Sequence, residues 1–446
     1  MQNHGLWADR ASIPAGRLTA TKVALGLIIA VTAVVPLFFV QFDDAALRIN
    51  VFKFLAKIGA FVGSTFLVWQ FFLGFRGAVS SLFPDLSWVV DLHKALGKFG
   101  VPIIVLHPVF IGLYYLESRG TNIYALELDG SFSQLVLVGM VLLGLIAFIV
   151  ITSAFLRERL GFYPWLYTHL SSYLVPPLLF IHSFLLGPTI QGTPLWCYWW
   201  FLASATAALY IYRAAHKLGV FASKYRVERS ATVAEQTTEI IFEPESRPLR
   251  PRLGQFVYLR GTIPENSHPY TVSSFDEETG ELGLTVKKEG PQTARLQRVE
   301  AGERFLLDGP FGVFTRIARA TDLPIVMVAG GIGITPFRRL WRELERDRTR
   351  EAHLFYGNEF FSDIAFREEL DSLEHVHVVH VLNQEPGFPG EHGFVTVEVL
   401  ARNLPRPLAD YQFMICGPPI MILKLESALK EAGIPGRHIR HELFAN

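Results

Sequence analysis

Six apolar runs, at about 22–41, 51–75, 92–116, 134–156, 165–187 and 195–215, fill the first half of this chain. Each is long enough, or nearly so, for a helix to cross the hydrocarbon core of a bilayer, and no other feature limits the possible folds as strongly. Half of all residues are hydrophobic, but the excess ends near Phe221, and charged residues concentrate beyond it. A membrane half followed by a soluble half is the natural division of 446 residues. Lys53 and Lys57 weaken the second run, yet they lie near one end of it, where long side chains snorkel. The first run ends in PLFFVQ with no small-residue cleavage site, so it is read as a retained span.

Basic residues set the orientation. Arg10, Arg17, Lys22, Arg76, Arg157, Arg159, Arg213, Lys217 and Lys224 fall on one side of a six-span arrangement, and Arg48 and Arg119 on the other. Both termini are therefore expected on the cytoplasmic face. Formal charge is zero and no basic block stands out, so nucleic acid is not an expected partner. Cys197 and Cys416 lie in different halves, which argues against a disulfide framework or a cysteine metal site.

Two of the runs carry histidine pairs: His93 and His107 on the third, His169 and His182 on the fifth. Fourteen residues of helix rise about 21 Å in almost four whole turns, so both rings of the first pair leave one face. The second pair is thirteen apart, with nearly the same rise. Two such helices side by side present two stacked His/His clamps, each of the size that holds a haem iron by two axial ligands. One membrane histidine can simply bond a neighbouring helix; four at matched depths are hard to explain that way, because polar groups in hydrocarbon are costly. Thirteen residues also leave His169 and His182 roughly 140° apart around an ideal helix. Pro176 and Pro177 lie between them, and a kink or local unwinding there is expected to restore the alignment. Pro102 is expected to bend the third span similarly.

Beyond Tyr225 the pattern becomes short β-type runs, TTEIIFEP, GQFVYLRG, HPYTVSS, ELGLTVKK and ERFLLDGP, which predict a small antiparallel barrel. DGPFGVF leads out of it into PIVMVAGGIGITPFRRLWREL, a buried strand, a Gly-rich turn and a helix. Gly330, Gly331 and Gly333 let the backbone approach a diphosphate, and Thr335 and Pro336 begin a helix whose N-terminus favours that anion. Strand-like AHLFYG, VHVVHVL and YQFMI alternate with helical FREEL and ILKLESALKEAG, as in a parallel sheet covered on both faces.

These features together resemble the ferric reductase-like transmembrane family, which includes NADPH oxidases, ferric-chelate reductases and bacterial relatives. The resemblance covers the whole chain and implies a multi-domain protein: a six-span all-α haem-binding bundle (1–220), an antiparallel β-barrel FAD domain (221–318) and an α/β NAD(P)H-binding domain (319–446). By that likeness His93 and His169 hold an inner haem b, and His107 and His182 an outer one. HPYTVSS is similar to the flavin motif of the ferredoxin reductase superfamily, so His268, Pro269, Tyr270, Thr271, Ser273 and Ser274 are expected around FAD, with Tyr270 against the isoalloxazine. VKKEGPQTARL resembles the segment whose glycine and threonine, here Gly290 and Thr293, approach the flavin pyrophosphate. CGPPIM is similar to the family's nicotinamide segment, assigning Cys416, Gly417 and Pro418 to NAD(P)H together with the Gly330–Pro336 turn. A C-terminal aromatic covers the flavin in relatives, a role that falls to Phe444.

The family's oxidases often carry an arginine on the second span near the outer haem, where this chain has Lys53 and Lys57, and some relatives carry an aromatic where Val175 stands. The implied activity is an electron relay without acid/base residues: NAD(P)H to FAD, to two haems, to a ferric chelate or oxygen outside a bacterial inner membrane. A haem-free flavin reductase and a non-catalytic haem sensor are the alternatives. YGNEFFSD has no arginine where a 2′-phosphate is expected, leaving Arg338 or Arg339 as substitutes.

Overall fold

The structure is a computed structural model and describes residues 15–75, 79, 83, 85–125, 130–261, 267–315 and 321–442. The chain forms two compact units, one over residues 19–214 and one from Ala215 onward.

The first unit is all helical. Its elements are α1 (Ala15–Val34), α2 (Leu47–Ile58), α3 (Ser64–Leu73), α4 (Leu86–Arg119), α5 (Ser131–Ala154), α6 (Phe162–Leu170), α7 (Val175–Leu186) and α8 (Leu195–Lys217). Among the described residues five spans, Thr19–Phe39, Leu47–Leu73, Trp88–Arg119, Ser131–Ala154 and Phe162–Leu186, are long and apolar enough to cross a membrane. The helix at the sixth apolar run, α8, is also long, but its Trp and Tyr make it less apolar and it is not among those five. Apolar side chains such as Leu27, Val141, Phe148 and Ile151 point outward, as a lipid-facing surface requires.

Two spans change their winding. Between α2 and α3, Gly59–Gly63 form a π-helical turn. Between α6 and α7, Ser171–Leu174 form a 3-10 turn just ahead of Pro176 and Pro177. The expected local unwinding is thus a tightening, one turn earlier. Proline at 176 and 177 cannot donate to the carbonyls of Ser172 and Tyr173. Val175 N donates to the Ser172 carbonyl instead, and the Tyr210 hydroxyl donates to that of Tyr173. A 3-10 residue turns about 120° rather than about 100°, so four of them reduce the roughly 140° mismatch between His169 and His182 to about 60°. The third span needs no such device. Helix α4 runs unbroken through Pro102 and Pro108, from an Asp85 cap to a left-handed Gly120, φ 65°.

The second unit contains both soluble folds. Strands β1 (Ser223–Ala234), β2 (Thr237–Pro244), β3 (Phe256–Gly261), β4 (His268–Phe275), β5 (Leu282–Lys287) and β6 (Arg304–Phe311) close an antiparallel barrel in the order β1-β2-β5-β4-β3-β6. Alternate residues fill it: Tyr225, Val227, Ile240, Phe242, Leu282 and Leu284 are all buried. A short helix α9 (Pro291–Leu296) follows β5. The second sheet contains β7 (Ile325–Gly330), β8 (Ala352–Asn358), β9 (Val376–Leu382), β10 (Glu391–His392), β11 (Gln412–Cys416) and β12 (Ile439–Glu442), ordered β10-β9-β8-β7-β11-β12. All its pairs are parallel. IVMVAG is buried throughout because helices cover both faces of that central strand. Helix α10 (Thr335–Asp347) packs Phe337, Leu340, Trp341 and Leu344 on one face of the sheet, and α11 (Pro419–Glu431) packs Ile422, Leu425 and Leu429 on the other.

Candidate functional site

Helices α4, α6 and α7 bring the four histidines together in two pairs. The ring centroids of His93 and His169 are 6.2 Å apart, and those of His107 and His182 are also 6.2 Å apart. All four Nδ1 atoms are engaged: His93 with the Gln70 carbonyl at 2.8 Å, His107 with that of Ala56 at 3.2 Å, His182 with that of Leu135 at 2.9 Å, and His169 with the Ser153 hydroxyl at 3.1 Å. An Nδ1–H donated in this way leaves Nε2 with its lone pair, the tautomer that binds a metal.

Glycines make these approaches possible. A Cβ on Gly59 would lie 2.3 Å from the backbone nitrogen of His107, and one on Gly63 2.8 Å from the Cα of Ile104. The π turn and its two small residues therefore let the second span press on the third until the Ala56 carbonyl reaches His107. On α5, a Cβ at Gly139 would lie 2.5 Å from the His182 ring. An imidazole nitrogen binds a first-row metal at about 2.0–2.1 Å and its ring centre lies about 1 Å behind it, so a shared metal sets ring centres about 6 Å apart. Both pairs fit two-histidine iron. Of the two second-span lysines, Lys53 pairs with Asp43 at 2.7 Å, whereas the Lys57 ammonium sits 5.9 Å from the Phe61 ring.

On the barrel, β4 presents the flavin motif with a bulge. Val272 pairs with Leu284 and Ser274 with the next residue, Gly283, so Ser273 has no partner across the ladder. Ser273 is buried on the face of the ladder that carries Thr285, opposite to the Leu284 and Val286 that fill the barrel, and there it donates to the Gly283 carbonyl (3.1 Å) and accepts from Thr285 Oγ1 (2.8 Å). Both capacities of its hydroxyl are thus used by the barrel. His268, Pro269 and Tyr270 lie half-buried at the start of the strand, Thr271 is buried, and burial pushes the Tyr270 phenol up. Ser274 donates to Glu239 Oε1 at 3.1 Å, and Glu239 is the register partner of Thr285. Thr293 Oγ1 accepts from the amides of Glu289 and Gly290, both at 2.8 Å, and so caps α9, while a Cβ on Gly290 would meet open space.

The strand order of the parallel sheet reverses between β7 and β11, and the two segments expected at the nicotinamide cofactor leave those strands side by side. Outside the carboxyl ends of strands at such a reversal is where α/β sheets bind nucleotides. Contact is direct: a Cβ on Gly333 would lie 2.3 Å from the Cys416 carbonyl oxygen, and one on Gly330 2.9 Å from Pro418. Gly417 packs equally closely on Gly330. Gly331 differs, with φ 51° and open space around it, as a turn that admits a ligand needs. Thr335 donates to the Ile332 carbonyl at 3.1 Å, and Pro336 occupies the first turn of α10.

Three family models match this chain, "Ferric reductase like transmembrane component" over residues 59–180, "Oxidoreductase FAD-binding domain" over 224–315 and "Oxidoreductase NAD-binding domain" over 327–426. The chain belongs to the ferric reductase-like transmembrane family. Among curated relatives, NADH-cytochrome b5 reductase 1 of Aspergillus clavatus is 33% identical over 199 residues, 41% of this chain and 64% of that protein. The protein of the same name in Arabidopsis thaliana is 31% identical over 195 residues, covering 41% and 69%. The first of these relatives is thus matched over a little less than two thirds of its length. A solved ferredoxin reductase in carbazole 1,9a-dioxygenase superposes at a TM-score of 0.46 with 21% identity, over 50% of this chain and 69% of that one.

In this ferric reductase-like chain one residue beside the Cys416 segment lies outside the sequence motifs. Glu442, on β12, pairs in register with Cys416. The residue reaches the surface in part, but its carboxyl tip is enclosed, Oε2 has no hydrogen-bond partner, and burial pushes the group up to about 8. Burial likewise pushes the Cys416 thiol up. Arg338 donates to both Glu239 and Glu369 and stacks on Phe366, and Arg339 donates to the carbonyls of Pro251 and Arg252. Neither is available as a phosphate ligand in the way considered from sequence. Phe444 lies outside the described residues.

Proposed function

We propose that this chain is a transmembrane oxidoreductase that conducts electrons from cytoplasmic NADH through FAD and two bis-histidine haems to an acceptor on the outer face, a ferric chelate or oxygen. The observation that carries the reading is the pair of histidine clamps at one common separation of 6.2 Å, every Nδ1 already hydrogen-bonded. In this reading residues 1–220 form the haem-binding domain with α8 as a sixth crossing, 221–318 bind FAD and 319–446 bind the nicotinamide cofactor. When bound, the flavin accepts a hydride and releases single electrons, and the haems carry them one at a time.

The chain's residues divide the remaining work. His93 with His169, and His107 with His182, each offer two Nε2 atoms to one iron, leaving no coordination position for an acceptor. The open backbone at Gly331 and the segment Cys416–Pro418 receive the nicotinamide cofactor, and the half-buried start of β4, with Tyr270, receives the flavin. NADH is favoured over NADPH for two reasons. Glu359 directly follows β8, the neighbour of the strand that carries the glycine turn, and an acidic side chain there suits ribose hydroxyls and repels a 2′-phosphate. Arg338 and Arg339 are engaged elsewhere, and the names of the relatives cited above specify NADH.

Anaerobic addition of NADH, and separately NADPH, to the purified full chain while recording haem absorbance tests the reading. Reduction of two haems, faster with NADH, is expected. A preparation without a Soret band, or one whose haem stays oxidised while flavin is reduced, overturns it.

A further inference from the structure

The four imidazoles are not held alike. Three of the Nδ1 atoms face backbone carbonyls on neighbouring helices, those of Gln70, Ala56 and Leu135. His169 faces the Ser153 hydroxyl instead, and that oxygen also accepts the indole N–H of Trp165 at 3.2 Å. The Trp165 ring stacks on His169 itself, centroids 5.3 Å apart and planes 30° apart, and the Arg157 guanidinium covers the indole at 4.5 Å. A hydroxyl oxygen is a weaker hydrogen-bond acceptor than a peptide carbonyl, and this one divides its acceptance between two side-chain N–H donors. The partner of Nδ1–H sets the basicity of the opposite nitrogen: a strong acceptor makes the imidazole more anionic and favours a ferric iron, a weak one favours the ferrous state. A guanidinium behind the indole acts in the same direction, because a nearby positive charge favours the state with one more electron.

We infer that Ser153, Trp165 and Arg157 form a tuning device that holds the reduction potential of the iron held by His93 and His169 above the value it would have if His169, like the other three histidines, donated to a carbonyl. They are positioning residues acting through His169 and touch no reacting atom. The couple involved is one electron, taken from reduced flavin, converting Fe(III) to Fe(II), with the Nδ1 proton retained in both states. Of the four hydrogen bonds this is the one made by a side chain, so substitution can weaken or strengthen it without rebuilding the backbone.

This inference rests on the haem reading above, and the experiment separates the two. The full chain in detergent is titrated anaerobically while its haem absorbance is followed, resolving two reduction waves. Ser153→Ala removes the acceptor and should move one wave to higher potential. Trp165→Phe keeps the stacked ring but removes the competing N–H, leaving the hydroxyl to His169 alone, and should move the same wave to lower potential. Arg157→Gln should lower it too. Repeating the set in a His182→Ala background, where the other pair is broken, should leave the shifting wave in place. Opposite shifts from Ser153→Ala and Trp165→Phe are a signature that a purely structural role does not produce. Unmoved waves, or shifts in one common direction, overturn the tuning role while leaving the haems in place; a chain without haem overturns both readings. If Ser153→Ala does not load haem, Trp165→Phe decides.

Discussion

Gly59 and His107 are in backbone contact across two helices: a Cβ on the glycine would lie 2.3 Å from the histidine amide nitrogen. This contact brings the Ala56 carbonyl within 3.2 Å of His107 Nδ1. Gly59→Ala must push the helices apart and is expected to cost about 1–3 kcal/mol, as overpacking does. On the proposed two-haem reading, the haem content of the purified protein should fall from two per chain towards one. Gly26→Ala, whose Cβ would meet nothing within 4 Å, is the control and should keep both. Pyridine haemochrome assay and thermal melting measure the two effects.

The exposed carboxylate of Glu359 at the end of β8 should set cofactor preference. Glu359→Arg replaces a repulsion of the 2′-phosphate by an attraction and is expected to shift the NADPH/NADH ratio of kcat/KM by about tenfold or more, a change of about 1.4 kcal/mol. Flavin reduction rates with each nicotinamide read this directly. An unchanged ratio would assign the selection to another residue, with the exposed Arg367, stacked on Phe361, as the next to replace.

Arg338 joins the barrel to the nucleotide-binding sheet. It sits between Glu239 of β2 and Glu369, which also accepts from Arg342 and from Trp341 Nε1. Removing one partner of a buried ion pair leaves charge uncompensated, at a cost of about 3–5 kcal/mol. Arg338→Ala should therefore lower the melting temperature of the full chain while leaving the NADPH/NADH preference unchanged, the opposite of what a phosphate ligand would do.

Glu442 should give stability a pH dependence opposite to that of an ordinary ion-paired carboxylate. Burial raises it from the usual 4.5 to about 8 in the folded chain. The folded state then holds a proton over a range where the unfolded state has released it. Its contribution is complete below about pH 4.5 and is lost progressively as pH rises through 8. Glu442→Gln should flatten this slope, giving a higher melting temperature than the parent chain at pH 8.5–9 and little difference at pH 5. Parallel slopes for parent and variant would show that the carboxyl ionises freely.

The sequence by itself determined the features carried by local period and local chemistry. The apolar runs specify their helices to within about seven residues at either end, the fourteen-residue spacing puts His93 and His107 on one face, and GGIG after an all-apolar strand specifies a turn at the end of a buried parallel strand. Strands β1 and β12 were less legible, because SKYRVERSATVA and IRHE are rich in charge and gain their identity from the neighbours they pair with. Only tertiary structure decided what depends on residues far apart in the chain. The bulge in β4 leaves Ser273 to Thr285 and the Gly283 carbonyl, the register of β12 places Glu442 beside Cys416, and Glu239 captures an arginine about a hundred positions away. The 3-10 turn before Pro176 likewise depends on Tyr210, on another helix, to satisfy a carbonyl that proline leaves free. Such choices follow from the requirement that every enclosed polar group find a partner, and which partner is within reach is set by packing.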